Sequence, residues 1–150
     1  MRWLIAFVVV VALGCAKKDS PEAQIKKAID DGIAGLEDRD ADKAAETLSD
    51  DYVDKSKRTK KQLKQLAFFA LQQGPLIVAV QDEDIHVDGD SATAQLKVLA
   101  VQGNAQLKSA SDLLPSNAKT FDLKLNFAKQ GSAWKVKSID GLSLGGAGLD

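Results

Sequence analysis

Residues 85–100 read Ile-His-Val-Asp-Gly-Asp-Ser-Ala-Thr-Ala-Gln-Leu-Lys-Val-Leu-Ala. Apolar side chains fall at every second position on both sides of Asp88-Gly89, the short-turn signal of a β-hairpin. A two-residue loop at Asp88-Gly89 would pair Val87 with Asp90, His86 with Ser91 and Ile85 with Ala92. Ile85, Val87, Ala92, Ala94, Leu96, Val98 and Ala100 would then share a buried face, and His86, Ser91, Thr93, Gln95 and Lys97 the other. Leu76 to Val80 forms a further β-rich run, and Gln81 to Asp84 interrupts the alternation, which predicts a bulge there.

Downstream, Phe121 to Phe127 is the clearest strand, with Phe121, Leu123, Leu125 and Phe127 on one side. The turn Lys129-Gln-Gly-Ser132 leads into Ala133 to Ile139, where Trp134 and Val136 face inward between Lys135 and Lys137. Between these strands, 103–120 reads as a long loop rich in Ser, Asn and Asp.

Upstream the period becomes helical. Ser20 and Pro21 read as N-cap and first helical residue, and Ile25, Ile29, Ile33 and Leu36 follow on one face. Gly32 and Gly35 weaken that helix and predict a bend or fraying in its second half. Asp40 caps a second helix with a stripe of Ala41, Ala44, Ala45, Leu48 and Tyr52, which the run Leu48-Ser-Asp-Asp-Tyr-Val53 ends. A Thr59-x-x-Gln62 capping box opens the third, and Gly74-Pro75 closes it. Leu63, Leu66, Ala67, Ala70 and Leu71, widened by Phe68 and Phe69, predict that this helix lies deepest.

The chain has 150 residues, with 20 Lys and Arg against 21 Asp and Glu. That length suits one domain able to bury its own core. The charge balance gives no basic excess for nucleic acid, and a single cysteine excludes an internal disulfide.

The first fifteen residues, MRWLIAFVVVVALGC, set Arg2 before an apolar run from Leu4 to Leu13 and a small residue before Cys15. This is the order of a secretory signal peptide, and the run is shorter than the roughly 20 residues a membrane span needs. Ala-Leu-Gly-Cys at 12–15 resembles the lipobox of bacterial lipoproteins, although Leu stands two before the cysteine where the family has it three before. The resemblance implies acylation of Cys15, a signal peptide at 1–14, an acylated tether at 15–20 and a lipid-anchored protein of the bacterial cell envelope. Ala16 implies the periplasmic side of the outer membrane. The alternatives are a secreted protein cut nearby and a cytosolic protein with an apolar N-terminus.

Three N-terminal helices followed by a curved antiparallel sheet of about four strands make an α+β domain. On the small-residue helix running into Leu48–Val53, the hairpin 87–94 and the closing strands 121–127 and 134–139, the chain resembles the nuclear transport factor 2-like, or cystatin-like, superfamily. The likeness covers about 20–141. It implies a domain at 21–141, a flexible tail at 142–150 and a cone with an internal pocket, for which Tyr52, Phe68, Phe69, Phe121 and Trp134 are the lining candidates.

Enzymes of the superfamily place an Asp, His or Tyr inside the cone, which makes His86, Asp50, Asp51 and Tyr52 the catalytic candidates. The pairing above puts His86 on the outer face as a solvated histidine. Asp50 and Asp51 read equally as solvated carboxylates, and Tyr52 and Trp134 as core. No metal-ligand constellation, phosphate loop or nucleophile elbow occurs, and nothing calls for a cofactor.

The basic cluster Lys55, Lys57, Arg58, Lys60, Lys61 and Lys64 reads as a solvated polar link or as a contact to anionic headgroups. Leu99 and Val101 mark a face for a second subunit, or one covered by the 103–120 loop. The resulting expectation is a non-catalytic envelope lipoprotein whose cone binds a small apolar ligand or an envelope protein. The alternative is a periplasmic isomerase- or cyclase-type enzyme.

Overall fold

A computed structural model of the chain describes residues 19–103 and 118–142. The expected signal peptide, Cys15, most of the tether, most of the 103–120 loop and the tail beyond Leu142 lie outside the described residues. Helices α1 (Pro21–Glu37), α2 (Ala41–Ala45) and α3 (Lys60–Gln72) precede strands β1 (Leu76–Asp88), β2 (Ser91–Gln102), β3 (Ala118–Gln130) and β4 (Ala133–Asp140). The strands form one antiparallel sheet in the order β1-β2-β3-β4. Helices on one face of a curved four-stranded sheet give the expected α+β class.

The hairpin turn sits one residue later than its sequence suggests. Asp88 pairs with Ser91, Val87 with Ala92 and Ile85 with Ala94, so Gly89-Asp90 is the loop. Gly89 takes φ +59° at the first central position, where a type II′ turn needs a positive angle. Moving the turn shifts both strands together, so the buried face keeps its members. The expected bulge falls between Val80 and Asp82. A second irregularity, opposite Asn126 and Phe127 at the β3–β4 pairing, bends the sheet further.

α1 lies in the resulting hollow. Ser20 accepts a hydrogen bond from the Ala23 amide at 3.2 Å, and Ile25, with no exposure, is the deepest apolar residue of the helix. Lys26 bonds Glu83 of β1 at 3.2 Å across the helix–sheet junction. The second half of α1 does not fray, and continues to Glu37. Its glycines serve close approach: a Cβ at Gly35 would stand 2.4 Å from the Ala44 nitrogen, where α2 crosses.

The second helix is shorter than its stripe predicts. It ends at Ala45, and the chain from Thr47 to Val53 lies along the free edge of β4. The Val136 amide donates to Thr47 O at 3.0 Å, the Ser49 amide to Val136 O at 2.9 Å, and the Val53 amide to Lys137 O at 3.1 Å. Leu48 forms a parallel bridge with Val136. An open sheet edge leaves a row of unpaired backbone groups, and Ser49-Asp50-Asp51 is poor helix material, so edge pairing prevails over more helical turns.

α3 also departs from expectation. Its capping box forms, with the Thr59 amide donating to Gln62 Oε1 at 2.9 Å. The helix packs on α2 and lies over the side of the hollow, not at its centre. Leu71 is buried, while Phe68 and Phe69 are 51% and 60% exposed. The apolar arc is too wide for one neighbour to cover, and α1 already occupies the sheet. The two phenyl rings meet edge-on outside the core, centroids 5.9 Å apart.

Candidate functional site

Between the sheet, α1, α2 and α3 lies a partly open cavity of about 280 Å³. Ile33 and Leu36 come from α1, Leu63 and Leu66 from α3, and Val98 and Leu125 from the sheet. It exists because small residues stand where large ones would fill the space: Gly32 on α1, Ala41, Ala44 and Ala45 on α2, and Ala67 and Ala70 on α3. Among the described lining residues only Thr47 and Lys64 have polar side chains. The Thr47 hydroxyl donates to Ala44 O at 2.9 Å. Lys64 lies at the edge, half-exposed and ion-paired with Asp42. The described wall thus carries no carboxylate, imidazole, phenol or thiol.

The five aromatic pocket candidates lie elsewhere. Phe68 and Phe69 point away from the cavity, Phe121 is half-buried on β3, and Trp134 and Tyr52 belong to the packed core. The four catalytic candidates do not converge either. His86 is exposed on the outer face of the sheet opposite Thr93. Asp50 is paired with Lys60 at 2.9 Å, and Asp51 with Lys137 and the Ser49 hydroxyl. The hydrogen bond and charge of Lys60 hold the Asp50 carboxyl below its usual range. Bonds from Lys137 and Ser49 do the same for Asp51.

Tyr52, 1% exposed, serves as a fastener. Its oxygen accepts from the Ile139 amide at 3.3 Å, and its hydroxyl makes a long contact of 3.5 Å to Asp54. Burial, with the nearby Asp54 charge, pushes the phenol up to about 12. Asp54 in turn accepts from the Arg58 side chain at 2.7 Å and its backbone amide at 3.0 Å. Arg58, expected in a solvated polar link, is thus largely buried with Asp54. Their i, i+4 spacing was visible, but not that the intervening chain is non-helical, with Lys57 at φ +59°. Val101, expected on an outer patch, is 4% exposed, and Leu99 is half-buried.

No group of His, Cys, Asp and Glu side chains suited to a metal ion occurs among the described residues. Nor is any described helix long and apolar enough to cross a membrane.

No protein-family model matches the sequence, and no curated protein matches it. Solved structures do match. A nuclear transport factor 2-like protein of unknown function from Pseudomonas putida superposes with a TM-score of 0.61 at 18% identity, covering 81% of this chain and 87% of that one. A cystatin-like protein of unknown function from Nostoc punctiforme gives 0.61 at 16%, covering 79% and 86%. Aln2 from a Streptomyces species gives 0.66 at 11%, covering 82% and 91%. Likeness at such identities is likeness of fold. The chain is an α+β cone, and its fold is the one called nuclear transport factor 2-like or cystatin-like.

Proposed function

We propose that the chain is a bacterial envelope lipoprotein, anchored by acyl groups on Cys15, whose cone holds a small apolar ligand without transforming it. One observation carries the binding reading: an aliphatic cavity near the lower end of ordinary ligand-site volumes, roughly 300 Å³. Its wall offers apolar contact and no buried polar group to be matched, so selection rests on shape and hydrophobic transfer. The alternative isomerase-type enzyme would need a proton-transferring side chain at the ligand, and the candidates named for that role lie outside this wall. The anchoring reading rests on Ala-Leu-Gly-Cys at 12–15, where two or more acyl chains would give stable attachment.

The test is native mass spectrometry of the chain secreted with Cys15→Ser. An additional mass lost on unfolding is expected. A bare protein that also takes up none of a panel of apolar compounds refutes the carrier reading. Acylation is checked separately, by metabolic labelling with an alkynyl fatty acid: label on the parent and none on Cys15→Ser is expected.

A second reading, docking of an envelope protein or a second copy, draws on Phe68 and Phe69, exposed side by side on α3. Sedimentation of the parent against Phe68→Ser/Phe69→Ser tests it, and identical monomeric profiles count against self-association.

A further inference from the structure

The cavity has features that specify its occupant more narrowly, if the apolar-ligand reading on which this rests is right. The first is capacity. A cavity of about 150 Å³ accommodates one benzene, so the 280 Å³ here has room for roughly ten to twelve carbons. One medium-length hydrocarbon chain fits, and the two tails of a phospholipid do not.

The second is polarity along the path. The described wall is aliphatic, and Thr47, its one hydroxyl, already donates to Ala44 O. A ligand head group therefore has no partner inside and belongs at the opening.

The third is the charge waiting there. Lys64 lines the cavity while its side chain remains half-exposed. A lysine in that position lays its methylene stem along apolar surface and keeps its ammonium in water. Its helix carries Lys60 and Lys61 as well and no acidic residue over Lys60–Gln72. Asp42 neutralises Lys64 from α2 but is not part of the wall.

We infer that the cone binds a single-chain anionic amphiphile of the medium-chain fatty-acid type, its tail in the cavity and its carboxylate on Lys64 in exchange for Asp42. No bond is made or broken. Asp42 thereby competes with the ligand for one cation, so removing it strengthens binding, an effect that a purely structural ion pair would not give.

The experiment uses the full chain in membranes of expressing cells and three dodecyl probes, each with a terminal diazirine. One is the carboxylate, one the alcohol and one the trimethylammonium. After irradiation, labelled residues are mapped by mass spectrometry, and half-maximal labelling is read as a function of probe concentration. The carboxylate is expected to label the β2 and β3 wall around Leu96, Val98 or Leu125 at about fivefold lower concentration than the alcohol, the effect of one exposed charge pair. The trimethylammonium probe should be weaker than either.

Lys64→Met, which keeps the apolar stem, should abolish the carboxylate's advantage, and Asp42→Asn should enlarge it. Lys129→Glu, exposed on β3 and outside the cavity wall, should matter little. Resistance to limited proteolysis checks that each variant is folded. Equal labelling by all three probes, or a carboxylate preference indifferent to both Lys64→Met and Asp42→Asn, overturns the anionic inference and leaves the apolar cavity standing. Failure of every probe to label the wall overturns both.

Discussion

Replacing Gly35 by alanine sets two effects of known sign against each other. In an isolated helix the change stabilises by about 1 kcal/mol, because glycine has the greater backbone entropy to lose. At this position the added Cβ would lie 2.4 Å from Ala44 N, 2.7 Å from its Cα and 2.9 Å from its Cβ. Ordinary contacts between such atoms are at roughly 3.5–4.0 Å, so α1 and α2 must separate by about 1 Å. The obstructing atoms are mostly backbone, and no change of rotamer relieves them. A separation of that size forfeits about a quarter to a half of each contact's attraction, and overpacking against backbone, which cannot rotate away, costs about 2–3 kcal/mol, the upper part of the usual range. Gly35→Ala should therefore destabilise by about 1–2 kcal/mol net and lower Tm by roughly 2–8 °C for a chain of this length. Gly32 is the control: its added Cβ would meet only the Thr47 side chain, 3.3 Å away at Oγ1, which needs to yield by only a few tenths of an ångström, so Gly32→Ala should be clearly less destabilising than Gly35→Ala. Thermal and urea unfolding followed by circular dichroism, both variants in the Cys15→Ser chain, give the two shifts. If Gly35→Ala is as stable as the parent, or the variants shift alike, the close crossing of α1 and α2 is wrong.

Tyr52 is the only tyrosine, so its titration can be read directly in the near ultraviolet. A phenol raised to about 12 in the fold and near 10 in the unfolded chain contributes stability that is intact below pH 10. That stability declines as pH rises from about 10 toward 12; a folded-state titration near 10 contradicts the burial. Asp54→Ala strips the partner from a largely buried Arg58 and should cost about 3 kcal/mol, measured by urea unfolding; a loss under about 1 kcal/mol would mean the pair is effectively solvated. Phe68→Ser with Phe69→Ser should change stability by under about 0.5 kcal/mol each, because both rings are already wet. Losses of several kcal/mol in the same unfolding assay would return α3 to the core.

What could be read from the sequence was what local chemistry decides. Ser20-Pro21, Asp40 and Thr59-x-x-Gln62 mark helix starts because each acts within three residues. The alternation through Ala92, Ala94, Leu96 and Val98 marks a strand face because sheet side chains repeat every two. Competition between distant groups was not legible. Nothing near Leu48–Val53 announces that β4 will offer it a free edge, and the stripe Ala41–Tyr52 is equally a helix until that edge exists. Phe68 and Phe69 look buried until α1 is seen to occupy the sheet. The cavity was hidden for a related reason. Alanines at 41, 44, 45, 67 and 70 signify either close packing or a void, and only the positions of their neighbours distinguish the two.

The separation of chemistry from cavity follows from the same geometry. In a cone, side chains inside must be apolar for the fold to hold, and any polar group placed there needs a partner or a purpose. Here the inward positions of the described sheet carry Ala, Leu, Val, Ile and Phe together with Trp134, and the polar exceptions Glu83 and Gln102 are bonded to Lys26 and Ala70 O, while Asp50, Asp51 and His86 stand in solvent. Tyr52 and Asp54 do point inward, and each is bound to a fixed neighbour, Ile139 N and Arg58. Lys64 differs because it belongs both to the wall and to the solvent, and its partner Asp42 is exposed enough to yield. The one charge in contact with the void is thus also a charge that can change partners without leaving a buried ion unpaired, which is what a binding site at a cone's opening requires.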